Sequence, residues 1–65
     1  MDNFLERIID EKNEVDARSA KLEVFLTTPK AKEIEPLQLS LLNIQLQAMQ
    51  TYSQCLLERL VWLQK

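Results

Sequence analysis

The sequence predicts an all-α protein. Its expected architecture is an antiparallel helical hairpin (long helix, short turn helix, long helix) that assembles into a helical homo-oligomer. Three observations carry that expectation. Apolar residues recur at intervals of three and four in both halves of the chain. Two prolines, Pro29 and Pro36, stand between those halves. And a chain of 65 residues that is 46% apolar carries more apolar surface than one helix pair can hide from water.

The first helix is expected over about residues 4–26. Asn3 followed by Glu6 reads as a capping box, in which Asn3 accepts from a free amide and Glu6 reaches back. Phe4, Ile8, Val15, Leu22 and Phe25 fall on one stripe, with Leu5 and Leu26 at its margin. Glu11 and Lys12 interrupt that stripe, and so do Arg18 and Ser19. Isolated helices of this kind are weak in water, so this one has to lean on a partner.

Thr27-Thr28-Pro29 ends the first helix, because the residue before a proline disfavours the α region. Thr28 then suits an N-cap and Pro29 the first position of a short turn helix, the connection covering residues 27–35. Pro36 opens the second helix, expected over about residues 36–63 and roughly 42 Å long. Leu39, Leu42, Leu46, Met49, Ser53, Leu56, Leu60 and Leu63 follow heptad spacing, with Ser53 the one polar member. The first helix covers that stripe. Beside it runs a second: Leu41, Gln45, Ala48, Tyr52, Cys55, Arg59 and Trp62. Left in water, it and the apolar turns after Cys55 mark an interface. The interface residues expected are Leu41, Gln45, Ala48, Tyr52, Leu60 and Trp62.

Size argues the same way. Sixty-five residues make one domain, covering residues 1–65, and a domain this short is marginal without a staple. A lone cysteine, Cys55, cannot form a disulfide within the chain, and with no histidine it cannot complete a zinc cage. Oligomerisation is the staple that remains. In an apolar run, Cys55 reads as a small core residue.

Glycine is absent, which removes Gly-rich phosphate loops and dinucleotide fingerprints. Lack of histidine removes the usual triads and metal hydrolases. No catalytic residue, metal or cofactor is therefore expected, and the chain reads as a binding protein and not an enzyme. The net charge of −2 argues against DNA as a partner. No run is long and apolar enough to span a membrane. Asp2 and Glu6 give an acidic start without a signal-peptide pattern, so a reduced, cytosolic setting is expected. Residues 1–35 hold nine acids and six bases, whereas residues 36–65 hold only Glu58, Arg59 and Lys65. The first half is thus expected to be mainly solvated and the second mainly buried.

Three polar sets stand out as ligand candidates. Thr27 and Thr28 beside Lys30 and Lys32 offer hydroxyls, amides and cations to a phosphate; the same residues also make an ordinary helix stop. Lys12, Arg18 and Lys21 lie on the first helix, where the plainer reading is packed stems with solvated heads. Gln45, Tyr52 and Arg59 repeat every seven residues along the stripe that ends at Trp62, where such groups can meet a ligand, fix register across a symmetry axis, or do both.

The ordered set Ile9-Asp10-Glu11-Lys12, Lys21-Leu22-Glu23-Val24-Phe25, Leu41-Leu42, Gln45, Met49, Tyr52-Ser53, Leu56 and Glu58-Arg59-Leu60 resembles a bacteriophage family. It is similar to the helical hairpin domain of the anti-CBASS cyclic-nucleotide sponges, shared with some anti-Thoeris sponges, over about residues 4–60. The resemblance implies a compact homo-hexamer in the cytoplasm of an infected bacterial host. It implies that cyclic dinucleotides and cyclic trinucleotides are held at subunit interfaces, uncleaved. The family's dinucleotide site uses an aromatic residue on the first helix, with a lysine and a threonine near its end. Thr28 matches the threonine, Lys30 or Lys21 the lysine, and Arg59 a basic position associated with larger ligands. No tyrosine stands in the first helix here; Glu11 or Lys12 occupies its place. The ligand-binding set expected is therefore Lys12, Arg18, Lys21, Thr27, Thr28, Lys30 and Arg59. The alternative is a helical oligomerisation or adaptor module with no small-molecule ligand.

Overall fold

The computed structural model describes residues 3–65; Asp2, part of the acidic start, lies outside the described residues. Helix α1 spans Phe4–Leu26, a 3₁₀ turn spans Pro29–Glu33, and helix α2 spans Pro36–Leu63. The two long helices pack against each other as a hairpin.

Helix α1 begins differently from the expected capping box. The Asn3 side chain makes no cap hydrogen bond; its carbonyl instead accepts from the Arg7 amide at 2.8 Å. At the other end, the chain solves a problem created by its lack of glycine. Helices commonly stop on a left-handed residue, which glycine adopts without strain. Here no described residue has positive φ. Thr27 turns its amide and its hydroxyl onto the Val24 carbonyl, at 3.0 and 2.7 Å. Thr28 does the same to the Phe25 carbonyl, at 3.0 and 2.6 Å. Four donors thereby satisfy carbonyls that the helix end would otherwise leave bare. Thr28 occupies the cap position of the 3₁₀ turn in extended backbone, yet its side chain does not cap it. Helix α2 starts with Pro36 in its first turn, and the Glu35 carboxylate accepts from the Gln38 amide at 3.1 Å.

The heptad stripe of α2 faces α1. From Leu39 to Leu60 every member is buried or half-buried, and Leu63 is exposed. Yet among the described residues only Ile8, Val15, Ala31 and Leu56 are buried. Three of those four lie in the first half, so the expectation of a mainly buried second half does not hold within one chain. Its cause is the second stripe: Leu41, Gln45, Ala48, Tyr52, Cys55, Arg59 and Trp62 are all exposed. Cys55 is consequently a surface thiol and not a core residue. Leu60, by contrast, is half-buried within the hairpin itself.

The middle of the hairpin is polar. Lys12 Nζ lies 2.7 Å from Asp16 Oδ2, and the Ser53 hydroxyl donates to the other Asp16 oxygen. Ser19 donates to the Asp16 carbonyl at 3.1 Å. Lys12, Asp16 and Ser19, all half-buried, are thus the residues of α1 that break the apolar face. Arg18, expected to break it, points outward and pairs with Glu14 at 3.4 Å, both side chains 65% exposed.

Candidate ligand cleft

The polar candidates fall at the two ends and along the middle of a hairpin 49 Å long. Thr27, Thr28 and Lys30 sit at the loop end, with Lys21 exposed on the last turns of α1. The hydroxyl protons of Thr27 and Thr28 are spent on helix carbonyls, as are their amides, so each presents oxygen lone pairs outward. To donate to a phosphate, a hydroxyl would have to release its carbonyl. Lys12 and Arg18 lie further along α1, each held by a carboxylate one turn on or back.

Arg59 lies at the open end. There the first turns of α1 and the late turns of α2 flank an open, shallow cleft of about 260 Å³. Phe4, Arg7 and Glu11 line it from α1, Tyr52 and Arg59 from α2, and the buried Ile8 and Leu56 lie between. Each set has helical spacing, four and three residues apart, and the antiparallel pairing brings the two together. The Arg59 guanidinium stands 5.7 Å from the Phe4 ring centroid, within cation–π range. Tyr52 donates its phenol hydrogen to Glu11 Oε2 at 2.9 Å. That hydrogen bond, with partial desolvation and the Glu11 charge, raises the phenol above its ordinary 10.0, and the Arg59 charge opposes the rise. Among the described residues, neither Arg7 nor Arg59 has a carboxylate at ion-pair distance. In this the two arginines differ from Lys12 and Arg18.

Phe4, Arg7 and Glu11 were not singled out as ligand residues in the sequence. The signal was present: a hairpin places the start of one helix against the end of the other, so residues near Phe4 had to meet those near Arg59. Tyr52, expected at a subunit interface, lies in this cleft and is still 43% exposed.

A family model described as Sequestin matches residues 2–61. The chain belongs to the Sequestin family. The match bears out the resemblance to cyclic-nucleotide sponges at the level of the family, and the family's name speaks of sequestering, which is binding and not turnover. No curated protein and no solved structure matches the chain. Among the described residues, no helix is long and apolar enough to cross a membrane.

Proposed function

We propose that this Sequestin-family chain is a phage anti-defence protein that binds cyclic oligonucleotide immune signals in the host cytoplasm and withholds them uncleaved. The observation that carries the reading is the open-end cleft, where two guanidinium groups, without carboxylate partners among the described residues, stand beside two aromatic rings. Phosphodiesters take charge-assisted hydrogen bonds from guanidinium, and bases stack on rings. At about 260 Å³ the cleft is smaller than the roughly 300–1,000 Å³ of sites that enclose a drug-sized ligand. It therefore holds one nucleotide of a cyclic ligand, and further copies of the chain supply the rest.

The oligomer belongs to the same reading. A chain of 7.6 kDa folded compactly exposes about 4,300 Å². This hairpin exposes 5230 Å². The excess is on the order of what one partner buries in a standard interface, about 800 Å². We assign that burial to the second stripe, from Leu41 through Gln45 and Ala48 to Trp62, in a homo-hexamer. Lys21 and Lys30 at the loop end are assigned to a cyclic dinucleotide together with Thr28, whose hydroxyl, like Thr27, Lys12 and Arg18, joins by giving up its present partner. Arg59 is assigned to a cyclic trinucleotide.

Thermal unfolding with a panel of cyclic di- and trinucleotides tests this. A ligand at 100 times its dissociation constant adds about 2.7 kcal/mol, a shift of several degrees for a domain this small. No shift with any member of the panel would leave the adaptor module as the better reading.

A further inference from the structure

The exposed side of α2 carries a seam as regular as the one that meets α1. Leu37, Leu41, Ile44, Ala48, Thr51 and Cys55 follow one another in alternating steps of four and three, which is heptad spacing, and all six are exposed. Leu37 and Ile44, which the second stripe did not include, are 62% and 61% exposed. Between Glu35 and Glu58 the helix has no charged residue, so neither the seam nor its flanks carry charge. The seam is graded by size. Its first three members, Leu37, Leu41 and Ile44, are large; its last three, Ala48, Thr51 and Cys55, are small. A stripe alone does not say how two copies meet, but this grading does. In a parallel pair each residue would meet its own copy, crowding one end and leaving the other poorly filled. Reversed, the same seam sets every large residue against a small one, as well-packed layers require.

We infer that the occupant of this seam is the same seam of a second copy, run antiparallel about a two-fold axis at the level of Leu46. Leu37 then faces Cys55 of the second copy, Leu41 faces its Thr51 and Ile44 its Ala48, and each contact occurs twice, as a two-fold interface demands. The pairing rests on the assembly part of the proposed function, supplies its two-fold unit, and is independent of the ligand. A second copy fits better than a foreign partner because the seam is its own complement. The hairpin's excess exposure is on the order of the about 800 Å² that one partner gives to a standard interface, which is the area a second copy has to cover. Gln45 and Gln47 flank the axis and bring no like charges together. Register is set at the end of the seam. Sliding the copies one layer toward the C-terminus would set Glu58 against Leu41, and burying a carboxylate there is costly.

Cys55, the one cysteine, is a built-in reporter. In the antiparallel pair the two Cys55 thiols lie roughly 27 Å apart along the helices, out of reach of a short bis-maleimide, whereas a parallel pair would bring them together. The full chain, at a concentration where it sediments as the oligomer, is expected to stay uncrosslinked on a denaturing gel, and Leu37→Cys to give a covalent dimer. Leu37→Cys/Cys55→Ser should lose that dimer, which shows that the link joins position 37 of one copy to position 55 of the other. Should Leu37→Cys disturb assembly, Leu41→Cys/Thr51→Cys on a Cys55→Ser background reads the next layer in the same way. Its two thiols are roughly 15 Å apart within one helix, so a covalent dimer reports contact between copies. Three results overturn the antiparallel pairing and leave assembly and ligand capture standing: a covalent dimer in the parent chain, one in Leu37→Cys that survives Cys55→Ser, or none in a cysteine variant that still sediments as the oligomer. A parent chain that sediments as a folded monomer overturns the pairing and the assembly together.

Discussion

Several of the polar side chains named as ligand candidates are engaged within the chain itself, which under the proposed function limits which of them a ligand can use. Asp16 is the clearest case. Hydrogen bonds from Lys12 and Ser53, with the Lys12 charge, hold its carboxyl below the ordinary 3.8, against a smaller opposing effect of desolvation. A carboxyl depressed in the folded state contributes stability above its unfolded value and loses it as pH falls through the folded one. Urea unfolding is therefore expected to weaken below about pH 4, and Asp16→Asn to flatten that acid limb while lowering stability at neutral pH. An acid limb identical in Asp16→Asn and parent would show that the node is not a titrating contact. Lys12 was legible in the sequence as an interruption of the apolar face, but its partner was not. Spacing marks where a polar residue intrudes, whereas pairing depends on which helix faces it. Arg18 was misplaced for the same reason: its angular position at the edge of the stripe allowed either face, and Glu14 one turn earlier drew it outward.

Helices and their junctions were the most legible level, because their signals are local. Proline after Thr28 and after Glu35 breaks the chain where the structure breaks it. Heptad spacing identifies the face of α2 that meets α1, and Leu56 on that face is 2% exposed. Leu56→Ala should cost about 2–5 kcal/mol in chemical denaturation, whereas Trp62→Ala, at a position 71% exposed, should cost an isolated hairpin far less. Caps were less legible, since Asn3 has the right chemistry and leaves it unused while Glu35 caps without being a favoured residue. The two ends of the hairpin lie too far apart for one ligand to touch both within a chain, so their effects should separate. Thr28→Ala and Lys30→Ala should each weaken cyclic dinucleotide binding about tenfold, in line with the loss of one charge-assisted hydrogen bond. Arg59→Ala should instead weaken cyclic trinucleotides. Thr28→Ser, which keeps the hydroxyl on Phe25, separates the ligand role from helix termination. Calorimetry showing parent-like binding in Thr28→Ala and Lys30→Ala would make the loop a helix stop and nothing more.

Taken whole, the hairpin is long and thin. Its radius of gyration is 15.0 Å, where a compact chain of this length has about 11 Å. With four of the described residues buried, such a shape has little core of its own, and together with the exposed second stripe this supports the proposed assembly. The arrangement of copies was not legible, because an apolar stripe proposes a surface to be covered and not the symmetry that would cover it. Sedimentation should find a homo-oligomer at micromolar concentration, and Trp62→Glu should dissociate it with loss of helicity, since burying an unpaired carboxylate is costly. Leu60→Glu is a poorer probe, because Leu60 is half-buried inside the hairpin and would report on folding. A parent chain that sediments as a folded monomer contradicts the assembly. The central claim, that a cyclic oligonucleotide is captured and kept whole, meets its most direct test in the fate of the ligand. Equilibrium dialysis against cyclic di- and trinucleotides, followed by denaturation of the protein and chromatography of what is released, reads capture and integrity together. The account predicts stoichiometric uptake of at least one cyclic oligonucleotide and its return chemically intact; no uptake, or a linear product that grows with protein dose, would contradict it.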